Sequence, residues 1–296
     1  MSVTPMSLRP KSGATRVKDV GFRIAMLLCL ALSATVLVAL VVDVLTDAAP
    51  VLSGRVFSNF PSSDAAKAGL QPAIFGTLWI IAVCAVFIVP VGVATAVYLE
   101  EYADASKWWN RLIEVNIQNL AAVPSIVYGI LGLAFLVRGP LSLGRVVLAG
   151  GLTLGLLVLP VVIISGREAI RAVPPSIREG SMALGATPWQ TIWKQVLPAS
   201  IPGIATGVIL ALSRAIGETA PLIVVGAATF ITFNPGGIVG DGAGFSALPI
   251  QIFSWISQPQ KEFHQLAAAG IVLLLGLLMC MNGVAIYLRN KFENTW

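Results

Sequence analysis

The sequence predicts an all-α polytopic membrane protein with six transmembrane helices and both termini on the cytoplasmic side. Composition is the first sign: 56% of the 296 residues are apolar and 11% are charged, against about a quarter charged in an ordinary globular chain. Apolar runs able to cross about 30 Å of hydrocarbon also recur along the whole chain. The third sign is the placement of the basic residues. Thirteen of the nineteen Lys and Arg fall in the N-terminal tail, the two loops on its side and the C-terminal end. Five fall on the other side, at Arg55, Lys67, Arg138, Arg145 and Lys261. An excess of that kind marks the cytoplasmic face.

Residues 1–22 read as a short disordered cytoplasmic tail, polar, with Arg9, Lys11, Arg16 and Lys18. Residues 23–43 form the first transmembrane helix. Its basic start imitates a signal peptide, but Asp43, Asp47 and Arg55 follow instead of a small-residue cleavage site. The main transmembrane region occupies residues 70–290, with helices expected at about 74–99, 117–137, 146–166, 201–225 and 266–288. Pro90, Pro124, Pro160 and Pro221 fall within the second to fifth helices, where kinks are tolerated beside neighbouring helices or an aqueous cavity. Trp108 and Trp109 suit a headgroup interface. Residues 226–263 read as a Gly-rich external loop.

The net charge of +5 and pI near 9.3 raise nucleic acid as a partner, but the basic residues are spread over loop ends. That spread fits orientation in a lipid bilayer better than a nucleic-acid surface, and no nucleic-acid partner is expected. Cys29, Cys84 and Cys280 lie in apolar runs without metal-like spacing. His264 opens the last apolar run and reads as an interfacial residue. No H-E-x-x-H, Asp-rich or Ser/His/Asp pattern points to a membrane enzyme, and no G-x-x-x-x-G-K-[ST] loop offers a nucleotide site.

Residues 167–200 form the most polar internal stretch and should lie in the cytoplasm. Two short helices are expected there. The first starts at Ser176, in a capping box with Glu179, and stops at Gly185. The second is capped by Thr187, has Pro188 at its first position, and closes at Leu197-Pro198. In the fifth helix, Gly203, Thr206, Gly207, Leu210, Ser213, Arg214, Gly217, Glu218 and Pro221 fall on one stripe. Gly203-x-x-x-Gly207 permits close helix approach. Arg214 and Glu218 stand one turn apart, each costing about 2.5–3.5 kcal/mol at a helix centre, so they must face protein or water. Two readings are open: an ion pair that fixes packing, or an anion site built on the arginine fork.

Glu179, the small pair Gly180 and Ser181, Gly185, and Leu197-Pro198 resemble the EAA loop of ABC importer permeases, with Gln195 where that family usually has Ile. The stretch Ser213-Arg214-Ala215-Ile216-Gly217-Glu218-Thr219-Ala220-Pro221-Leu222 resembles the signature of permeases of the phosphate-specific (Pst) importers, A-type. Tyr98-Leu99-Glu100-Glu101-Tyr102, Pro124-Ser125-Ile126-Val127 and Leu248-Pro249-Ile250-Gln251-Ile252-Phe253 add to the likeness. The resemblance implies a type I ABC importer permease fold in a bacterial inner membrane. It implies ATPase coupling through Glu179, Gly180, Ser181, Gly185, Leu197 and Pro198, and a phosphate path at Ser213, Arg214 and Glu218. The implied partners are a C-type permease, two copies of an ATPase that binds ATP and Mg, and an external phosphate-binding protein; this chain is expected to bind no cofactor. The alternatives are a permease for another small anion and a stand-alone anion transporter, which would leave the Glu179–Pro198 loop without a purpose.

Overall fold

The computed structural model describes residues 13–104, 106–239 and 244–292. Arg9, Lys11 and the rest of residues 1–12 of the expected tail lie outside the described residues, as do residues 240–243 of the expected external loop. The chain folds into twelve helices among the described residues. In order they are α1 (Gly13–Ala48), α2 (Gly54–Ser58), α3 (Gln71–Val97), α4 (Trp108–Ala121), α5 (Ser125–Leu131) and α6 (Val147–Arg171). They continue as α7 (Pro175–Ala183), α8 (Pro188–Thr191), α9 (Leu197–Gly217), α10 (Ala220–Val225), α11 (Leu248–Ile256) and α12 (Lys261–Phe292). π-helical turns at Tyr98–Tyr102 and Gly132–Val137 extend α3 and α5, and a third at Ile192–Val196 joins α8 to α9. Among the described residues, five stretches are long and apolar enough to cross a membrane, or six if α4 and the extended α5 count as one bent span.

Proline chemistry accounts for most departures from the expected boundaries. Pro90 and Pro160 do lie inside α3 and α6, but Pro124 and Pro221 sit at breaks. The helix expected over 117–137 is instead α4 and α5, bent by 110°. Pro124 takes φ −55°, ψ 137° and precedes the first residue of α5, and a proline pushes the residue before it out of helical geometry. The helix expected over 201–225 ends at Gly217. Glu218 turns extended at φ −78°, ψ 116°, and Pro221 enters the first turn of α10, where its missing N–H costs nothing.

The second helix of the 167–200 loop does not close at Leu197-Pro198. The π turn resets the hydrogen-bond register, so Pro198 falls in the first turn of α9 and the chain runs from Pro188 to Gly217 as one helical stretch. The expected external loop contains α11, because Leu248, Pro249, Ile250, Gln251, Ile252 and Trp255 find a buried site. Thr77 Oγ1 accepts the Leu248 N–H at 2.8 Å there. α1 is also longer than the expected 23–43, since no proline separates Gly13 from that run and the single Gly21 does not break the helix.

The bundle is built on α3, α6 and α9. Ile80, Cys84 and Ile88 of α3 pack with Leu154, Val158 and Val162 of α6 and Ala211 and Ala215 of α9. The Gly203-x-x-x-Gly207 expectation holds: Gly203 faces Ala169, and any Cβ at Gly207 would overlap the Ser165 side chain. A second apolar cluster joins the end of α1, α2, α11 and the start of α12 around Leu70, Leu248, Trp255 and Leu266. A third, of Ala96, Ile170, Val173, Val196 and Ile204, lies beneath the 167–200 loop.

Candidate functional site: the α6–α9 loop and a charge pair at the end of α9

The loop between α6 and α9 is held by defined caps. α7 begins after Pro174 (φ −56°, ψ 137°), and no side chain caps it. Pro175 preorganises the first helical position, so Ser176 lies inside the helix and the expected Ser176–Glu179 capping box does not form. Glu179 falls in the second turn and is exposed. The stop at Gly185 is as expected, with the residue at φ +86°. The Ala186 N–H donates to Ser181 O at 3.2 Å and the Gly185 N–H to Met182 O at 2.9 Å, the pattern of a Schellman motif. Thr187 caps α8 as expected, in a box with Gln190: its Oγ1 accepts the Gln190 N–H at 3.3 Å and its own N–H donates to Gln190 Oε1 at 3.0 Å. Ser181 Oγ and Thr191 Oγ1, 2.9 Å apart, tie the two helices together.

Beside the charged Glu179 and Lys194, this loop shows large apolar side chains to solvent. Leu184 is 91% exposed, Trp189 58% and Trp193 51%, and the two indoles lie 5.2 Å apart, centroid to centroid. Gly180 is exposed and a Cβ there would meet nothing within 4 Å. The fold of this chain therefore sets no demand for its small size. Leu197 packs into the third cluster, while Pro198 is exposed.

Beneath the loop lies an ion network whose purpose the sequence did not disclose. Arg178 donates through Nη2 to Glu101 Oε1 at 2.7 Å and Ile170 O at 2.9 Å, and through Nη1 to Val173 O at 2.7 Å. Glu100 accepts from Arg171 at 2.8 and 2.9 Å and from Arg167 at 3.3 Å. Arg167 also reaches Glu114 of α4 at 2.9 Å. The end of α3, α4, the end of α6 and α7 thereby share one charged knot. The signal that could have found it was the carboxylate pair Glu100-Glu101 closing an apolar span, opposite three arginines that flank another. Nearby, the Ser106 hydroxyl and N–H hold the Asp104 carboxyl below its ordinary value and fix the turn into α4.

The expected stripe of α9 is divided among three surroundings. Gly203 and Gly207 pack on α6. Ser213 turns to α12, its Oγ 2.7 Å from Asn282 Oδ1 and 2.7 Å from Ile209 O. Leu210, Arg214 and Gly217 are exposed. Arg214 Nε lies 3.3 Å from Glu218 Oε1, with side-chain exposures of 47% and 20%. The structure thus brings Arg214 and Glu218 together and leaves Ser213 on a different side. Glu218 is not a mid-helix residue: it ends α9, and the Arg214 cation lies in the last helical turn, beside the negative end of the helix dipole.

Residues 88–293 match the family described as the binding-protein-dependent transport system inner membrane component. The chain is 36% identical over 209 residues to the phosphate transport system permease protein PstA 1 of Mycobacterium tuberculosis. That match covers 70% of this chain and 66% of the relative, just under two thirds of its length. The phosphate transport system permease protein PstA of Haemophilus influenzae is 30% identical over 251 residues, covering 84% of this chain and 85% of that one. Among solved structures, an inward-facing MetNI methionine ABC transporter chain superposes with a TM-score of 0.56 at 20% identity, over 76% of this chain and 96% of its own. A chain of a bacterial ABC transporter involved in alginate import gives 0.62 at 15% identity, over 95% and 99%. These two likenesses concern the fold.

Proposed function

The chain belongs to the binding-protein-dependent transport system inner membrane components, and we propose that it is the A-type permease subunit of an ATP-driven importer of inorganic phosphate. It is a multi-pass inner-membrane protein with the helical fold of type I ABC importer permeases. The phosphate assignment draws on the names of relatives such as those of M. tuberculosis and H. influenzae, and on one observation in this chain. Arg214 presents a half-exposed guanidinium on a face of α9 that the rest of the chain leaves open, with Glu218 as its counter-ion.

The chemistry of that pair suits a passing oxyanion. A guanidinium stays charged when desolvated and offers parallel N–H donors to two phosphate oxygens. With no anion present, Glu218 neutralises it, which removes the cost of an isolated charge in hydrocarbon. A phosphate arriving between the subunits competes with Glu218 for the same donors, so the site holds it without trapping it. Ser213, bonded towards α12, acts on α9 packing in this reading and not on the anion.

The remaining parts follow from the same reading. A C-type permease faces the open side of α9, and phosphate crosses between the two chains by alternating access. Both termini and the α7–α8 loop face the cytoplasm, where two ATPase copies bind ATP and Mg and dock on Leu184, Trp189 and Trp193 beside Glu179, Gly180, Ser181 and Gly185. An external phosphate-binding protein delivers the substrate. Affinity purification of the tagged chain followed by radiolabelled phosphate uptake in proteoliposomes tests this. Stoichiometric ATPase and second permease, with ATP-dependent uptake that excess sulfate does not compete away, are expected. Uptake by the chain alone, or equal competition by sulfate, overturns it.

A further inference from the structure

Arg289 closes one end of an apolar crevice that phosphate transport does not use. Two hollows of about 390 and 400 Å³ lie between α12 and the α3–α9 pair, and both are lined by Ala285. One runs past Leu78, Leu277 and Met281; the other runs past Val89, Ile204 and Val208 and ends at Leu197 and Arg289. From Leu277 to Arg289 the helix rises about 18 Å at 1.5 Å per residue, slightly more than one leaflet of a hydrocarbon core about 30 Å thick. The hydroxyl lining the far end, that of Thr77, is already committed to Ala73 O and the Leu248 N–H. Apart from the sulfur atoms of Cys280 and Met281, the lining therefore offers hydrocarbon until it reaches Arg289.

Arg289 itself has donors to spare. Its guanidinium bonds Asn290 Oδ1 at 3.1 and 3.2 Å and touches Thr206 Oγ1 at 3.4 Å. It pairs with no carboxylate among the described residues, and its five N–H groups outnumber those contacts. It lies on the membrane face of the α7–α8 loop, because Leu197, the residue that follows the π turn, lines the same hollow.

We propose that this crevice binds an anionic phospholipid, one acyl chain between α12 and the α3–α9 pair and the lipid phosphate on Arg289. An apolar slot one leaflet deep with a cation at its headgroup end matches a lipid in both charge and length. Free phosphate has no use for the apolar lining. An apolar helix from another subunit lying along these hollows leaves the spare Arg289 donors without an anion, which a lipid phosphate supplies.

The test uses the assembled complex, purified in detergent, mixed with phosphatidylglycerol and weighed by native mass spectrometry. One phosphatidylglycerol retained per copy of this chain is expected. Arg289→Gln lowers retention about tenfold, the loss expected for one charge-assisted contact, while Arg289→Lys keeps most of it. Ala205→Phe, which fills the slot, lowers retention of phosphatidylglycerol and phosphatidylcholine alike. Excess inorganic phosphate leaves the bound lipid in place. The proposal is overturned by equal retention in wild type and Arg289→Gln, by retention that Ala205→Phe leaves unchanged, by displacement with inorganic phosphate, or by a helix of another subunit filling the crevice in the assembled complex.

Discussion

Arg178 and Glu101, 77 positions apart in the chain, meet at 2.7 Å and fasten the first helix of the α6–α9 loop to the end of α3. The same guanidinium caps the carbonyls of Ile170 and Val173 at the end of α6. A push on α7 is therefore delivered at once to two transmembrane helices, α3 and α6, that form the bundle core.

Breaking this clasp should uncouple docking from transport. Arg178→Gln leaves Glu101 and two carbonyls short of donors in a site that is mostly covered. A loss of about 1–3 kcal/mol is expected for unsatisfied groups of this kind. The complex should still assemble with its ATPase, while phosphate uptake per ATP hydrolysed falls severalfold. Glu101→Gln should show a milder form of the same defect. Unchanged uptake per ATP in Arg178→Gln removes the clasp from the transmission path.

The positive φ of Gly185 makes a second prediction. An L-residue in that conformation costs about 1–2 kcal/mol, and a Cβ there meets nothing within 4 Å, so backbone strain is the whole effect. Gly185→Ala should insert normally but bind ATPase more weakly, and Gly185→Pro more weakly still. Pull-down of the ATPase at graded detergent-solubilised concentrations measures this.

Glu179 and Leu184 separate docking from folding. Both are exposed, and surface substitutions away from caps and cores usually change stability by less than about 0.5 kcal/mol. Glu179→Lys and Leu184→Asp should therefore keep the wild-type melting temperature, while ATPase association falls tenfold or more, as is expected when an exposed docking contact of about 1.4 kcal/mol is lost. Wild-type association in both variants would show that the ATPase docks elsewhere.

Much of this was legible in the sequence for identifiable reasons. Apolar runs fixed the existence of the spans, and the loop caps at Thr187 and Gly185 followed from local chemistry that tertiary structure had no reason to override. Pro124 and Pro221 are ambiguous in the sequence because proline is compatible with both a kink and a helix start. Which one forms depends on whether neighbours hold the broken ends, as Tyr128 does by donating to Leu120 O across the Pro124 break. The Ser176 cap failed for a similar reason: Pro175 is the better first helical residue. The charged knot is half legible: Glu100-Glu101 and the three arginines stand out at the ends of their spans, but the partners lie 67 to 77 positions apart, and no local pattern encodes which meets which. Ser213 shares a stripe with Arg214 on a helical wheel, yet α12 supplies Asn282 on one side, while Arg214 on the other stays half-exposed among the described residues.

The most direct test of the central claim is phosphate uptake by the double variant Arg214→Gln, Glu218→Gln in a reconstituted complex. Removing both charges leaves no uncompensated ion, so a pair that serves only packing is dispensable in this form. The account predicts that the double variant assembles with the second permease and the ATPase yet fails to take up phosphate. Arg214→Lys alone, which keeps the charge and loses the fork, should also be impaired. Normal phosphate uptake by the well-assembled double variant would contradict the account and leave Arg214 and Glu218 as packing residues.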